Sequence, residues 1–421
     1  MKYSGVEWIG EIPDKWKLNK IGQLFNLRNE KVSDKDYSPL SVSKNGIVPQ
    51  MENVAKSDAS DDRKLVLKGD FAINSRSDRK MSCGVSPLDG SVSLINTILY
   101  PKNDDVIYNN YMNYLLKNYG FAEEFYRWGH GIVSDLWTTK WQEMKSIMLP
   151  LPSVQKQKAT YDFLNQKTAE IDSLIEIENQ QIEKLKEYVE SSIYEYLKKE
   201  LGVSINDMSF ESRTSMKKIG ALSNLVTKQT GFDYSNTIKP TMLDNPNEDS
   251  LPYLQTRNFK NNYFNLNTEF YVPKSTWEQF PKLILDDETL LFSIVGASIG
   301  NVAIFPKSEK AFLGGAICRV NLVDKEYALF IKEIMLSKFG QEQINRKINS
   351  NAQGTITVQN VRDFLIPMPS KKDAVRIGQK CESMRKEVDD LITIKEKKID
   401  GLTEYKKSLI YEYVTGKKEV R

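Results

Sequence analysis

Pro150-Leu151-Pro152-Ser153, Ile171-Asp172-Ser173-Leu174-Ile175, Leu185-Lys186-Glu187-Tyr188 and Ser191-Ser192-Ile193-Tyr194-Glu195-Tyr196 return later in the chain. Shifted by 217 residues without a gap, they become Pro367-Met368-Pro369-Ser370, Val388-Asp389-Asp390-Leu391-Ile392, Leu402-Thr403-Glu404-Tyr405 and Ser408-Leu409-Ile410-Tyr411-Glu412-Tyr413. Several matched blocks in one register indicate an internal duplication. Weaker echoes precede each copy. Lys20-Ile21-Gly22-Gln23-Leu24 resembles Lys218-Ile219-Gly220-Ala221-Leu222, and Leu115-Leu116-Lys117-Asn118-Tyr119-Gly120 resembles Met335-Leu336-Ser337-Lys338-Phe339-Gly340. Their offsets of 198 and 220 show that the intervening segments differ by insertions. The order is globule, long helix, globule, long helix.

The helical reading rests on periodicity. After Pro152 and Ser153, a stop-and-cap pair, no Gly or Pro occurs up to residue 200. Ile171, Ile175, Ile182, Leu185, Val189, Ile193 and Tyr196 recur at steps of three, four or seven, close to a heptad seam. Val388, Leu391, Ile392, Ile399, Leu402, Leu409, Ile410 and Tyr413 form the second stripe, interrupted by Gly401 and Lys406. A helix of about 45 residues is roughly 65 Å long and would leave its seam wet if solitary. The two copies are therefore expected to pack as an antiparallel coiled coil. A helical hairpin inside one domain is the simpler alternative.

Residues 1–150 and 201–366 read as mixed α/β (α+β) globules, with 151–200 and 367–421 as the helices between and after them. Leu65-Val66-Leu67, Phe71-Ala72-Ile73, Leu94-Ile95 and Ile98-Leu99-Tyr100 look like strands set between turn residues. So do residues 289–295 and 316–320. Each globule is expected to end in a helix, at 111–126 and 327–348.

Several loops are rich in hydrogen-bonding and cationic side chains. Asn74, Ser75, Arg76, Ser77, Arg79 and Lys80 follow a strand, and Arg127 and His130 follow a helix. In the second globule Gln255, Thr256, Arg257 and Asn258 follow one strand and Ser298 follows another. Asn351, Gln353 and Thr355 lie in a loop matched to residues 129–134 of the first globule. Arg suits guanine edges, Asn and Gln suit adenine, and all of these side chains suit phosphate. These residues are the candidate DNA contacts; a solvated surface turn is the simpler reading of any one loop.

Composition narrows the function class. The chain has 421 residues, with 59 Lys+Arg against 56 Asp+Glu, which excludes a heavily basic DNA coat but not local, site-specific binding. His130 is the sole histidine, which removes designs needing two. Cys83, Cys318 and Cys381 form no CxxC pair and suit a reducing cytosol. Cys83 and Cys318 read as small core residues. No apolar run approaches the roughly 20 residues of a membrane span, and the N-terminus has no apolar signal-peptide region. GxGxxG, GxxxxGK[ST] and HExxH are absent, as are the Asn-Pro-Pro-aromatic and Asp-Pro-Pro-aromatic tetrapeptides of adenine methyltransferases. The chain is expected to bind, not catalyse, with no metal site and no cofactor of its own.

This arrangement resembles the DNA-specificity subunits of type I restriction–modification systems. The resemblance is carried by residues 4–16, opening Ser4-Gly5-Val6-Glu7-Trp8, by the Leu149-Pro150-Leu151-Pro152 and Ile366-Pro367-Met368-Pro369 junctions, and by the helices with Ile171-Asp172 and Val388-Asp389. It implies two target recognition domains, each reading half of a split site in double-stranded DNA, on a coiled-coil spacer. It implies two methyltransferase (modification) subunits carrying S-adenosylmethionine, motor-nuclease (restriction) subunits using ATP and Mg, and a cytoplasmic location. Gln353-Gly354-Thr355 follows the family pattern, whereas residues 129–135 depart from it. A coiled-coil scaffold binding proteins without DNA selectivity, or a fusion with its own methyltransferase, are the alternative readings.

Overall fold

The computed structural model describes residues 1–50, 62–131, 137–202, 215–260, 263–266, 268–348 and 354–420. The chain divides into two units: Met1–Glu178 with Lys397–Arg421, and Asn179–Glu396. Each long helix contributes residues to both.

The first long helix is Val154–Leu201 and the second is Lys371–Val414. Ser153 Oγ accepts from the Lys156 amide at 3.4 Å, and Gly202, at φ +66°, ends the first helix in the left-handed conformation favoured by glycine. Gly416 at φ +75° follows the second. Along the first helix Leu164, Ile171 and Glu178 are buried at heptad spacing. Ile182, Val189, Ile193, Leu197 and Leu201 continue the buried line after a step of four. On the second, Val388, Ile392 and Leu409 are buried. Ile175, Leu185, Ile399, Leu402 and Ile410 are half-buried. Leu391 does not follow the stripe, being 48% exposed.

Polar pairs cross between the helices within each unit. In the first unit Lys406 reaches Asp172 and Lys398 reaches Glu178, both at 2.6 Å. In the second Lys395 donates to Gln181, Arg385 to Glu190 at 2.5 Å and Arg376 to Glu200 at 2.6 Å. In both units the partner numbers run in opposite directions.

The first unit centres on a four-stranded sheet in the order Cys83–Val85, Phe71–Asn74, Asn96–Pro101, Phe25–Arg28, antiparallel throughout. Phe71 and Ile73 point into the main core with Leu99, while Ala72 points to the other face with Ile98, Leu40 and Ile47. Burial on both faces explains the unbroken apolar run. The second unit has a four-stranded sheet in the order Val302–Phe305, Thr289–Ser293, Ile317–Leu322, Ser223–Lys228, also antiparallel. A further four-stranded sheet there runs Tyr271–Val272, Leu251–Leu254, Ala311–Leu313, Ile284–Leu285. The Pro-rich junctions are strands: Met148–Leu151 pairs with Lys17–Lys20, and Leu365–Met368 with Ser215–Lys218.

Three further expectations change. Leu94-Ile95 is a turn, with Leu94 38% exposed, because the strand begins only at Asn96. The expected helix at 111–126 is broken into Met112–Leu115 and Tyr119–Arg127, since Asn118 accepts from the Phe121 amide as an N-cap. The one at 327–348 is Ala328–Leu336 and Lys338–Asn345, separated by extended Ser337. No helix among the described residues is long and apolar enough to cross a membrane, and no group of three or more metal-ligating side chains occurs among them.

Candidate nucleic-acid interface

In the first unit the strand Phe71–Asn74 leads into a 3₁₀ turn, Ser77–Arg79, and returns as Cys83–Val85. The turn is tied down on every side. Ser75 is buried, its hydroxyl 3.1 Å from that of Thr97, and its carbonyl accepts from the Thr139 amide at 2.9 Å. The Ser77 amide donates to the Trp137 carbonyl at 2.8 Å. Asn74 Oδ1 accepts from the Arg76 amide at 3.1 Å. The Tyr126 hydroxyl donates to the carbonyls of Asn74 and Arg79 at 2.9 and 3.3 Å, and burial raises its pKa, keeping it a donor. Met81, at φ +65°, takes the left-handed conformation that reverses the chain.

The cations around this turn each meet a carboxylate. Arg76 is held by both oxygens of Asp78, at 3.0 and 3.2 Å, and Arg79 approaches the same group at 3.6 Å. Lys80 meets Glu123 at 3.0 Å. Arg127 meets Glu124 at 2.6 Å and Glu7 at 3.2 Å. Exposed His130 joins the same neighbourhood through a two-way backbone bridge to Thr138, which also bridges Arg76. Asn74, Arg76, Ser77, Arg79, Lys80, Arg127 and His130 thus share one surface, with Ser75 buried beneath it. It borders a cleft of about 1070 Å³ floored by Trp8, Tyr119, Tyr126, Trp137 and Tyr411.

In the second unit the strand Thr289–Ser293 leads into the 3₁₀ turn Gly296–Ser298 and returns as Val302–Phe305. The Gly296 amide donates to the Gly354 carbonyl at 3.1 Å, and the Ile356 amide to the Ile294 carbonyl at 3.0 Å. Ser298 Oγ lies 2.7 Å from that of Ser293, and Thr355 bridges Val295. The backbone partners of Gly354 and Ile356 correspond to those of Trp137 and Thr139. Gly354 and Thr355 therefore correspond to Trp137 and Thr138; hydrogen bonding fixes that register, which loop composition does not. Asn351 and Gln353 lie outside the described residues.

Gln255, Thr256, Arg257 and Asn258 lie on a turn leaving the second four-stranded sheet, whereas Ser298 follows a strand of the first. Asn258 is buried and braces that turn, accepting from the Gln255 amide at 2.7 Å and donating to the Asn265 carbonyl at 2.6 Å. Arg257 is exposed and meets Glu269 at 2.8 Å.

The sequence did not single out Asp78, Glu123, Glu124, Tyr126 or Trp137 near the first turn. Alternating signs in Asp78-Arg79-Lys80 were the available signal for Asp78; Tyr126 and Trp137 required the fold. Cys83, Cys318 and Cys381 are buried, and desolvation pushes each thiol up to about 12.

Residues 232–404 match the family model described as Type I restriction modification DNA specificity domain. Over 448 aligned residues the chain is 24% identical to a Methanocaldococcus jannaschii protein assigned as the type I restriction enzyme MjaX specificity subunit, covering 98% of this chain and 96% of that one. It is 22% identical to the MjaVIII specificity subunit of the same organism, over 66% of this chain and 63% of that one. Among solved structures, a chain from work described as "Structural basis underlying complex assembly and conformational transition of the type I R-M system" superimposes with a TM-score of 0.69. The alignment has 10% identity and covers 96% of this chain and 98% of the other, a likeness of fold.

Proposed function

We propose, from the premise that this chain belongs to the family of type I restriction–modification DNA specificity subunits, that residues 1–150 and 201–366 are target recognition domains for two half-sites. Segments 151–200 and 367–421 are then the spacer helices, packed as an antiparallel coiled coil. The chain is a specificity subunit with a DNA-recognition role, and the methylation and cleavage activities of such systems lie in partner subunits.

One observation carries the two-reader proposal. Each unit has a four-stranded antiparallel sheet with the same strand order, and in each the second strand leads through a 3₁₀ turn into the edge strand. The same backbone frame carries Arg76, Arg79 and Lys80 in one unit and Ser298 in the other. A constant frame with different side chains suits two readers of different sequence. Arg76, Arg79, Lys80, Arg127, His130, Arg257, Ser298 and Thr355 are proposed to face DNA, with Ser75 and Asn258 holding the turns. Two half-readers on one chain bind cooperatively, because the second contact is intramolecular.

Within each unit the opposed running order of the pairs, Lys406–Asp172 with Lys398–Glu178 in the first and Arg385–Glu190 with Arg376–Glu200 in the second, supports the antiparallel spacer. Two methyltransferase subunits with S-adenosylmethionine, and motor-nuclease subunits with ATP and Mg, are the proposed partners, in the cytoplasm. Inserting one heptad into both long helices, in phase, should lengthen the preferred gap between half-sites and leave the half-sites themselves unchanged. An unaltered gap would contradict the spacer role.

A further inference from the structure

We propose that Asp78 is a positioning residue that presents Arg76 to a guanine in the half-site read by the first unit. This rests on the DNA-reading role proposed above and adds which side chain orients the reader and which base it takes.

The argument starts from the guanidinium. It has five N–H donors in a fixed plane, enough for two separate forks. Asp78 takes one fork: Oδ1 accepts from Nε at 3.0 Å and Oδ2 from Nη2 at 3.2 Å. The second fork, formed by Nη1 and the remaining Nη2 hydrogen, is left on a side chain that is 41% exposed. Its geometry matches guanine O6 and N7, the commonest specific pairing in the major groove. A free arginine would lose several rotatable bonds on docking. Here the carboxylate has fixed them beforehand, and preorganisation of this kind improves discrimination.

The support behind the pair is rigid. Asn74 Oδ1 holds the Arg76 amide, the Arg79 amide returns to the Arg76 carbonyl at 3.1 Å, and Tyr126 clamps both ends of the turn. The 3₁₀ turn fixes the Asp78 backbone, and its carboxylate meets Arg76 and Arg79. The equivalent turn of the second unit, Gly296-Ala297-Ser298, keeps the frame but carries neither cation nor carboxylate. The Arg76–Asp78 pair is therefore not needed to build the turn. A negative charge close to a phosphate backbone costs affinity, so a role in orientation accounts for its presence where simple phosphate binding does not.

The test is selection from a randomised duplex pool by the full chain assembled with its methyltransferase subunits, comparing wild type with Arg76→Ala, Asp78→Asn and Asp78→Ala. The expected result is that both Asp78 variants lose about five- to thirtyfold of the preference for guanine at one position. Arg76→Ala should lose preference at that same position. The remaining positions of the same half-site, unchanged, report intact folding of the first unit. Guanine preference surviving in both Asp78 variants but not in Arg76→Ala would overturn the positioning role. Equal weakening on all sequences with a shallower salt dependence would make Arg76 a phosphate contact and also overturn it. A wild-type complex selecting no motif would instead defeat the DNA-reading role itself.

Discussion

Arg385 Nε lies 3.0 Å from Glu333 Oε2, with the two side chains 7% and 1% exposed. Lys332 adds a second cation 3.2 Å from Glu333, and Glu190 adds a second carboxylate 2.5 Å from Arg385. This cluster joins the helix Ala328–Leu336 to both long helices within the second unit. Removing one member of a buried pair leaves a stranded charge, at about 3–5 kcal/mol. Glu333→Ala should cost that much in urea unfolding, and adding Arg385→Met should recover part of the loss. A loss below about 1 kcal/mol would show the cluster to be screened by water.

Asp389 stands beside this cluster with its Oδ2 buried and without a hydrogen-bond partner among the described residues. Burial raises its pKa above the ordinary carboxylate value, against the opposing pull of Arg385. The folded state thus holds this proton more tightly than the unfolded state does. Stability from this group is lost as pH rises from about 4 through the folded value. Asp389→Asn should raise the melting temperature at pH 7, and the gain should vanish below about pH 4. Equal gains at both pH values would rule out the ionisation as the cause.

Two glycines of the second long helix should respond with opposite signs. A Cβ on Gly378 would sit 2.9 Å from the Phe330 amide nitrogen and 3.0 Å from its Cα, so backbone must move. A Cβ on Gly401 would meet nothing within 4 Å among the described residues. Gly401→Ala should stabilise by up to about 1 kcal/mol through helix propensity. Gly378→Ala should destabilise by roughly 1–3 kcal/mol through overpacking. Thermal unfolding of the two variants decides it; the same sign for both would contradict the close approach at Phe330.

The three thiols should be inert in the folded protein. Burial pushes each pKa up to about 12, so the reactive thiolate is suppressed at pH 8. Titration with a chromophoric disulfide should show slow reaction at Cys83, Cys318 and Cys381 until denaturant is added. Rapid reaction of a thiol in native protein would show that its surroundings open.

Arg257 offers a check on the second reader. Its partner Glu269 is 70% exposed, so the pair is weak and the guanidinium is available. Arg257→Ala should relax or weaken only the half-site read by residues 201–366. A change confined to the other half-site would contradict the assignment of readers to globules.

The long helices were legible because an amphipathic period survives over many turns, and Ile171, Ile182, Ile193, Val388 and Ile392 are buried as their spacing required. Leu391 misled because the seam passes through Val388 and Ile392 and leaves Leu391 outside. The strands at Phe71 and Thr289 were legible as short apolar runs. The breaks at Asn118 and Ser337 were not, since a single capping residue ended a helix whose apolar content continued. At the candidate interface, residue types marked the turn at Asn74–Lys80, but not that Asp78 grips Arg76 or that Tyr126 clamps the turn. The Arg76–Asp78 pair is local but depends on the 3₁₀ turn that brings the two side chains together, and Tyr126 lies 52 positions from Asn74, beyond any local pattern.

The central claim is that one chain carries two independent readers. Sequencing of methylated bases in cells carrying the complete system, with residues 1–150 exchanged for those of a relative, tests it most directly. The account expects one half of the split motif to change while the other half and the gap stay fixed. Loss of both halves together, or a motif that ignores the exchange, would contradict it.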